Sequence, residues 1–339
     1  MFLGKVSIIV PCFNEEEVIQ ETYNRLVSVM KTGQINRYEL IFVNDGSRDN
    51  TLSILRQISK TDKSVIVVSF SRNFGHQPAV TAGLHQCSGD VAVIIDADLQ
   101  DPPELIPDMI SKMQSEQASV VYAVRDKRKG ESFFKRFTAA IFYRLINGLS
   151  EVPLPMNTGD FRLVDRKVID VFCKLDEKNK YIRGLISWIG FKQVPISYVR
   201  EARYAGETKY PFTKMLKFAT NALLYFTRKP LKIAMSLGFL SVVVGLLLTV
   251  YAIASKLLSP STTVSGWAST MIAIVFLGGV QLLTIGVIGE YIGSIFDEIK
   301  NRPQFIIDEV IQTKSVSKAT NSIAKKSRIA VPRKSKIIA

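Results

Sequence analysis

Val91-Ala92-Val93-Ile94-Ile95-Asp96-Ala97-Asp98-Leu99-Gln100-Asp101-Pro102-Pro103-Glu104 decides the reading of this chain. Its first five residues are apolar and mostly β-branched, the pattern of a strand buried on both faces in a parallel sheet. Open α/β sheets bind ligands at the carboxyl ends of their strands. At that end stand Asp96, Asp98 and Gln100, oxygen donors at alternating positions. The chain is then expected to enter a helix at once, with Asp101 as N-cap, Pro102 at the first helical position and Glu104 closing a capping box. Hard oxygen donors suit Mg2+ or Mn2+, and Mg2+ completes its octahedron with water and substrate phosphates. The cluster therefore reads as a cation site facing a diphosphate, against the plainer alternative of an acidic turn after a strand.

Working outward, residues 6–10, 38–43 and 65–70 are three more apolar strands, separated by helical patterns. With a short helix over 77–85 leading into residue 91, the rhythm is βαβαβαβ, which predicts a doubly wound parallel sheet of the nucleotide-binding kind. Each strand ends in polar residues: Pro11-Cys12-Phe13-Asn14-Glu15, Asn44-Asp45-Gly46-Ser47 and Ser71-Arg72-Asn73-Phe74-Gly75-His76. The Asp45 carboxylate in its tight turn is placed either to accept from a ribose or base, or to close an Asx-turn. The two histidines, His76 and His85, are too few for a His-rich metal site and read as structural or supporting. Dinucleotide-binding and P-loop glycine motifs and the Ser/His/Asp signatures do not occur.

Residues 119–124 form a further strand. Residues 132–149 mix Phe133, Phe134 and Phe137 with Lys135, Arg136 and Arg144, which reads either as a helix lying at a membrane surface or as a core helix. Asp160 follows Gly159 and precedes a β-rich segment, while Arg203 and Lys209 flank Gly206 in a loop that is either suited to phosphate oxygens or simply solvated. An amphipathic segment over 211–229 leads into two uncharged stretches, 233–255 and 257–289. A span needs about 20 apolar residues, so two transmembrane helices are expected within 230–297. Arg228, Lys229 and Lys232 before them and Lys300 and Arg302 after them place both outer ends in the cytoplasm by the positive-inside rule.

The net charge of +14 would by itself fit a nucleic-acid binder. Much of it, however, sits in a tail without acidic residues: Lys314, Lys318, Lys325, Lys326, Arg328, Arg333, Lys334 and Lys336. That composition reads as disordered and cytoplasmic, and no nucleic-acid partner is expected. Three cysteines without CxxC spacing fit reduced thiols facing a cytosol. The amino terminus runs straight into a strand, with no signal peptide. The domains expected are a catalytic unit over 1–210, a juxtamembrane helix over 211–229, two spans over 230–297 and a cytoplasmic segment over 298–339.

Taken in order, Val-Pro-Cys-Phe-Asn-Glu at 10–15, Asn-Asp-Gly-Ser at 44–47, Asp-Ala-Asp-Leu-Gln at 96–100, Thr-Gly-Asp-Phe-Arg at 158–162 and Arg203-x-x-Gly206-x-Thr208-Lys209, with the two apolar stretches, resemble the polyisoprenyl-phosphate glycosyltransferases. These are inverting family 2 enzymes with a GT-A domain, including bactoprenol glucosyltransferases of the GtrB type and dolichol-phosphate mannose synthases. The likeness spans about residues 4–310. It implies that Pro11, Phe13, Asn14, Glu15 and Asp45 hold the nucleotide, that Asp98, Gln100 and Asp96 bind Mg2+ or Mn2+, and that Arg203 and Lys209 neutralise phosphates. Asp160 would face acceptor or sugar, as a base or a positioning group, and with Asp96 and Arg203 would form the catalytic set. Thr208 stands where the family often has serine and keeps the hydroxyl.

The implied reaction is transfer of a hexose, glucose from UDP-glucose, to undecaprenyl phosphate at the cytoplasmic face of the plasma membrane. The alternatives are the same reaction with mannose or N-acetylglucosamine, or a catalytically silent nucleotide-sugar-binding membrane partner. Small residues in the second span, Gly278, Gly279, Gly286, Gly289 and Gly293, would permit a homo-oligomer, and a flippase and a further glycosyltransferase would act downstream.

Overall fold

The computed structural model describes residues 4–125, 158–178, 180–199, 229–258 and 266–313. Its strands are β1 (Val6–Cys12), β2 (Tyr38–Asn44), β3 (Val65–Phe70), β4 (Val91–Ile94), β5 (Val120–Arg125), β6 (Thr158–Asp165), β7 (Gln193–Tyr198) and β8 (Ile307–Gln312). They form one sheet in the order β7-β5-β6-β4-β1-β2-β3-β8. The expected parallel arrangement holds for β1 to β4, and β5 and β7 also pair in parallel. The sheet as a whole is mixed, because β6 runs antiparallel between β4 and β5 and β8 runs antiparallel along β3. A strand buried on both faces, as β6 is around Phe161, Arg162, Leu163 and Val164, satisfies its apolar pattern in either direction, so the pattern does not encode polarity.

Helices cover both faces. On one lie α1 (Ile19–Thr32), α2 (Thr51–Thr61) and α4 (Ile106–Ser115); on the other lie α3 (His76–Gln86), α5 (Arg166–Lys174) and α6 (Ile182–Trp188). Alternation divides the core between them. Ile8 and Val10 of β1 join Leu26, Met30, Leu55 and Met109, while Ile9 joins Leu84, Val168 and Phe172. Each such side chain is worth about 1.5–3 kcal/mol when fully buried. The α3–β1 contact is close enough to demand Gly83, since a Cβ there would lie 2.3 Å from Cγ2 of Ile9.

The capping box expected at residue 101 does not form. A 3-10 turn covers Pro103–Leu105, Leu105 precedes α4 without a side-chain cap, and the Asp101 carboxylate, fully buried, accepts instead from the Tyr198 hydroxyl of β7. Glu104 turns outward to Arg25, whose Nε and Nη2 lie 2.8 and 2.9 Å from its two oxygens. A distant partner has displaced the local one.

At the amino ends of the strands, Glu39 is buried in a closed network. It accepts from Ser7 Oγ (2.6 Å), Ser88 N (2.6 Å), Ser88 Oγ (2.8 Å) and the Lys5 ammonium. Burial pushes its pKa up, but these bonds outweigh that and hold it below the usual glutamate value.

Two long helices follow, α7 (Lys229–Leu258) and α8 (Trp267–Ile299), packed on each other with Leu246, Leu247, Ile274 and Leu282 exposed. Among the described residues one helical segment, Phe276–Ile299, is long and apolar enough to cross a membrane; the apolar run in α7 is the shorter Ala234–Leu247. After α8 the chain returns to the sheet. Phe305 stacks on Phe70 with centroids 5.1 Å apart, Ser71 N donates to Ile306 O (3.1 Å), and β8 covers the edge of β3. Residues 307–312, expected in a segment beyond the catalytic unit, are thus part of its sheet. The expected surface helix over 132–149, all but the last residue of the one expected over 211–229, Arg203, Lys209 and the tail from 314 lie outside the described residues.

Candidate active site

The carboxyl ends of β1 and β2 are tied to one another. Asp45 N donates to Cys12 O (2.9 Å), Asn14 N to Ser47 Oγ (3.0 Å), Arg48 N to the Asn14 side chain (2.9 Å) and Glu15 N to Thr51 Oγ1 (2.8 Å). Asn14 itself is left-handed, at φ 54°, a conformation that asparagine tolerates better than most residues. Pro11, Phe13, Asn14 and Glu15 therefore surround one rigid corner beside Asp45.

Asp45 is buried, and its carboxylate holds the loop after β3. It accepts from Phe74 N (2.6 Å), Gly75 N (2.9 Å) and Asn73 Nδ2 (2.9 Å). Burial nevertheless keeps its pKa above the ordinary aspartate value. The neighbouring Gly46 is required on two counts: its φ is +65°, and a Cβ would stand 2.4 Å from the carbonyl carbon of Arg72. The bonds from residues 73–75 use Asp45 as a buried anchor for the loop after β3 rather than in an Asx-turn of its own.

Beyond β4 the strand's alternation continues through the loop. Ile95, Ala97 and Leu99 point into the core, while Asp96, Asp98 and Gln100 are part-exposed. Thr22 of α1 donates to Ala97 O (2.8 Å), Gln100 N donates to Asp98 Oδ1 (3.2 Å), and Leu99 takes a left-handed φ of 57°. A buried leucine in that region is held there by its surroundings at a cost of about 1–3 kcal/mol. The result is a fixed row of three outward oxygen donors. Among the described residues no three His, Cys, Asp or Glu side chains form a metal cage. Two carboxylates and an amide are still the open donor set that Mg2+ or Mn2+ shares with a phosphate ligand.

Antiparallel register brings the last acid into place. Ile94 pairs with Arg162, so continuing two residues along each strand puts Asp160 across from Asp96. Asp160 Oδ1 accepts from Arg183 Nε (2.6 Å), and Oδ2 lies 3.0 Å from His76 Nε2, which is also 3.8 Å from Asp96 Oδ1. Arg183 reaches from α6, which is docked on α3 by a bond from Ile182 N to the Gln77 side chain (3.0 Å). Arg162 is buried beneath, donating to the carbonyls of Gly159 (3.2 Å) and Asp160 (3.3 Å).

These contacts divide the charges. Burial disfavours the His76 cation, but the bond to Asp160 and the charges of Asp96 and Asp160 raise its pKa to about 9. His76 is therefore an imidazolium at neutral pH and donates to Asp160. Burial also works against the Asp160 carboxylate, yet Arg183 and His76 together hold it well below the aspartate range. Burial raises Asp96 to about 6, with Asp160, Asp101 and Asp98 adding to the shift and His76 opposing it. A carboxylate as acidic as Asp160 is a poor proton acceptor. His76 stands here in direct contact with Asp160. Arg183 went unread in the sequence, although the rule that ligands gather at strand ends already pointed to the loop that ends in His76.

Residues 7–172 match the family model described as glycosyl transferase family 2, and residues 229–295 match that of the GtrB C-terminal hairpin. Over 303 residues the chain is 53% identical to the glycosyltransferase YkcC of Bacillus subtilis, covering 89% of this chain and 93% of that one. The chain belongs to glycosyl transferase family 2. This glycosyltransferase is also 41% identical over 305 residues to the bactoprenol glucosyl transferase of Shigella phage SfII, covering 89% of this chain and 97% of the relative. Among solved structures, glucosyl-3-phosphoglycerate synthase from Mycobacterium tuberculosis is similar at 21% identity and a TM-score of 0.44, over 66% of this chain and 78% of that one.

Proposed function

We propose that this glycosyltransferase moves a hexose, glucose from UDP-glucose, onto undecaprenyl phosphate with inversion, at the cytoplasmic face of a membrane that α7 and α8 both enter. The observation that carries the proposal is the pairing of an open acidic loop, Asp96 to Gln100, with a neutralised Asp160 across from it, in a chain that continues into two long apolar helices. The similarity to bactoprenol glucosyl transferases runs through both parts.

In this reading Pro11, Phe13, Asn14 and Glu15 surround the base and ribose, and Asp45 shapes that corner by anchoring residues 73–75. Asp98, Gln100 and Asp96 hold Mg2+ or Mn2+, which when bound offsets the charge developing on the diphosphate leaving group. Arg203 and Lys209 act on the donor diphosphate and the lipid phosphate. A lipid phosphate oxygen forms a bond to the anomeric carbon, and the bond to the diphosphate oxygen breaks, its electron pair leaving with the nucleoside diphosphate. The nucleophile is already anionic, so Asp160, pinned by His76 and Arg183, serves as a positioning group rather than a base. Along α8 a Cβ added at Gly278, Gly279, Gly286, Gly289 or Gly293 meets nothing within 4 Å, an open small-residue face that suits a homo-oligomer. A flippase and a second glycosyltransferase would consume the lipid-linked sugar.

The test uses purified full-length protein in detergent with Mg2+, undecaprenyl phosphate and a panel of labelled nucleotide sugars. Label from UDP-glucose should pass into the organic extract, and both a chelator and Asp98→Ala should abolish it. Label from another donor alone would change the sugar, and no transfer from any donor by protein that still binds nucleotide would favour a silent partner.

A further inference from the structure

The acidic loop after β4 is held at its start and at its end by different kinds of contact. At the start Ile95 N donates to Ile9 O (3.1 Å) and Thr22 Oγ1 to Ala97 O (2.8 Å). At the end stand Asp101, Pro102 and Pro103, and the two prolines have no N–H through which the backbone could be tied. The anchor there is a side chain. The Asp101 carboxylate, fully buried, accepts from the hydroxyl of Tyr198, the last residue of β7. β7 lies at the opposite edge of the sheet from β8, and its parallel register with β5 sets Tyr198 beside Arg125. Arg125 Nε donates to the same hydroxyl (3.2 Å). Burial and the Asp101 charge push the phenol up to about 12 against the pull of Arg125, so it keeps its proton and donates.

Tyr198 also meets the strand that carries Asp160. Its ring packs edge-on against Phe161, the residue after Asp160, with centroids 6.1 Å apart. Arg125 covers Gly159, the residue before it, where an added Cβ would stand 2.7 Å from Nη2. The phenol and its arginine therefore join the exit of the acidic loop to both neighbours of Asp160. Consecutive Cα atoms are about 3.8 Å apart, so an anchored Asp101 restricts where Gln100 stands. The bond from Gln100 N to Asp98 Oδ1 (3.2 Å) carries that restriction on to Asp98. Leu99 between them is left-handed, at φ 57°, a conformation that persists only where the surroundings impose it. We propose that Tyr198 is a positioning residue for the reaction, which through Asp101 sets the acidic loop in the conformation that takes a divalent cation. The inference rests on reading Asp96, Asp98 and Gln100 as the cation site. It goes beyond that reading by naming a residue from the far edge of the sheet, outside every motif of the sequence.

The experiment counts bound metal separately from turnover. Full-length protein in detergent with saturating UDP is titrated with Mn2+, and the free ion is read by electron paramagnetic resonance against UDP alone. Tyr198→Phe keeps the ring on Phe161 and removes the hydroxyl. Its Mn2+ affinity should fall about tenfold, the scale on which outer contacts act at metal sites. Val194→Ala, a buried change on the same strand, should lower the melting temperature and leave Mn2+ affinity at the wild-type value, which separates loss of the bond from loss of stability. Asp101→Ala should weaken Mn2+ binding at least as much as Tyr198→Phe. The double variant should bind no more weakly than Asp101→Ala alone, because the two residues act as a unit. In the transfer assay Tyr198→Phe should raise the Mn2+ concentration for half-maximal rate by the same factor, with the rate recovered at saturating Mn2+ and the lipid KM unchanged. Wild-type Mn2+ affinity in Tyr198→Phe, an equal fall in Val194→Ala, or additive losses in the double variant would overturn the proposal and leave the cation site standing. A wild-type protein that binds UDP and no Mn2+ would overturn both.

Discussion

The two ends of the sheet each bury charged side chains, and they treat them in opposite ways. At the amino end Glu39 is satisfied from within the chain by Lys5, Ser7 and Ser88 and titrates below its ordinary value. At the carboxyl end His76 and Arg183 both serve Asp160, while Asp96 is pushed up to about 6 by burial and by the carboxylates around it. A charge cluster that only holds a fold together closes on itself. In the proposed reading, one that leaves acid in a cleft is arranged for a cation from outside.

Substitutions can break or sharpen that contrast. The largest effect is expected from Asp98→Ala, which should lower transfer by about 10²–10³-fold or more while leaving the melting temperature close to wild type. Next comes Arg183→Met, which leaves the Asp160 carboxylate with one cationic partner fewer. A stability loss of about 3 kcal/mol in denaturant should accompany a large fall in turnover. Loss of stability alone would make Arg183 a scaffold residue of the Lys5 kind. Glu39→Gln turns an amide NH2 toward donors that the carboxylate accepted from, and should cost about 2 kcal/mol at pH 7 with turnover per folded molecule unchanged. Because the folded-state pKa of Glu39 is lowered, its contribution is present above the unfolded value of about 4.3. It is lost as pH falls through the folded value, so wild type and variant should converge in acid melts. Phe305→Ala removes the stack on Phe70 and should cost about 1 kcal/mol, with a modest rise in donor KM read through the 73–75 loop. The smallest effect belongs to Arg25→Ala, an exposed pair with Glu104, at below about 1 kcal/mol and with no change in turnover.

Much of the catalytic end was legible because its signals are local. Apolar runs mark β1 to β4, and the polar residues that follow them occupy the strand ends where the sheet brings them together. Asp96, Asp98 and Gln100 could be read as outward because period-two alternation passes from β4 into its loop. What escaped depends on distant partners. Asp101 has the local setting of an N-cap, but its carboxylate accepts from Tyr198, which arrives from the distant strand β7. Arg183 lies in a short helix with no motif around it, and its role exists only because β6 runs antiparallel and sets Asp160 opposite Asp96. β8 was hidden for a different reason. Its side chains are mostly exposed, so it lacks the apolar signature of a core strand and sits in sequence beside a basic tail. Its place is fixed by backbone pairing to β3 and by Arg56 meeting Glu309.

The position of β8 also sets an order of assembly. β3 carries the loop that leads to His76, and its outer edge stays open until residues 307–312 have been synthesised, after both long helices. An uncovered strand edge invites pairing with other chains, and domains tend to fold as they emerge. The catalytic sheet is therefore closed last, by a strand that arrives only once the hairpin is complete. A nascent chain truncated within α7 or α8 would carry the acidic loop, Asp160 and Arg183 yet lack the strand that pairs with the outer edge of β3.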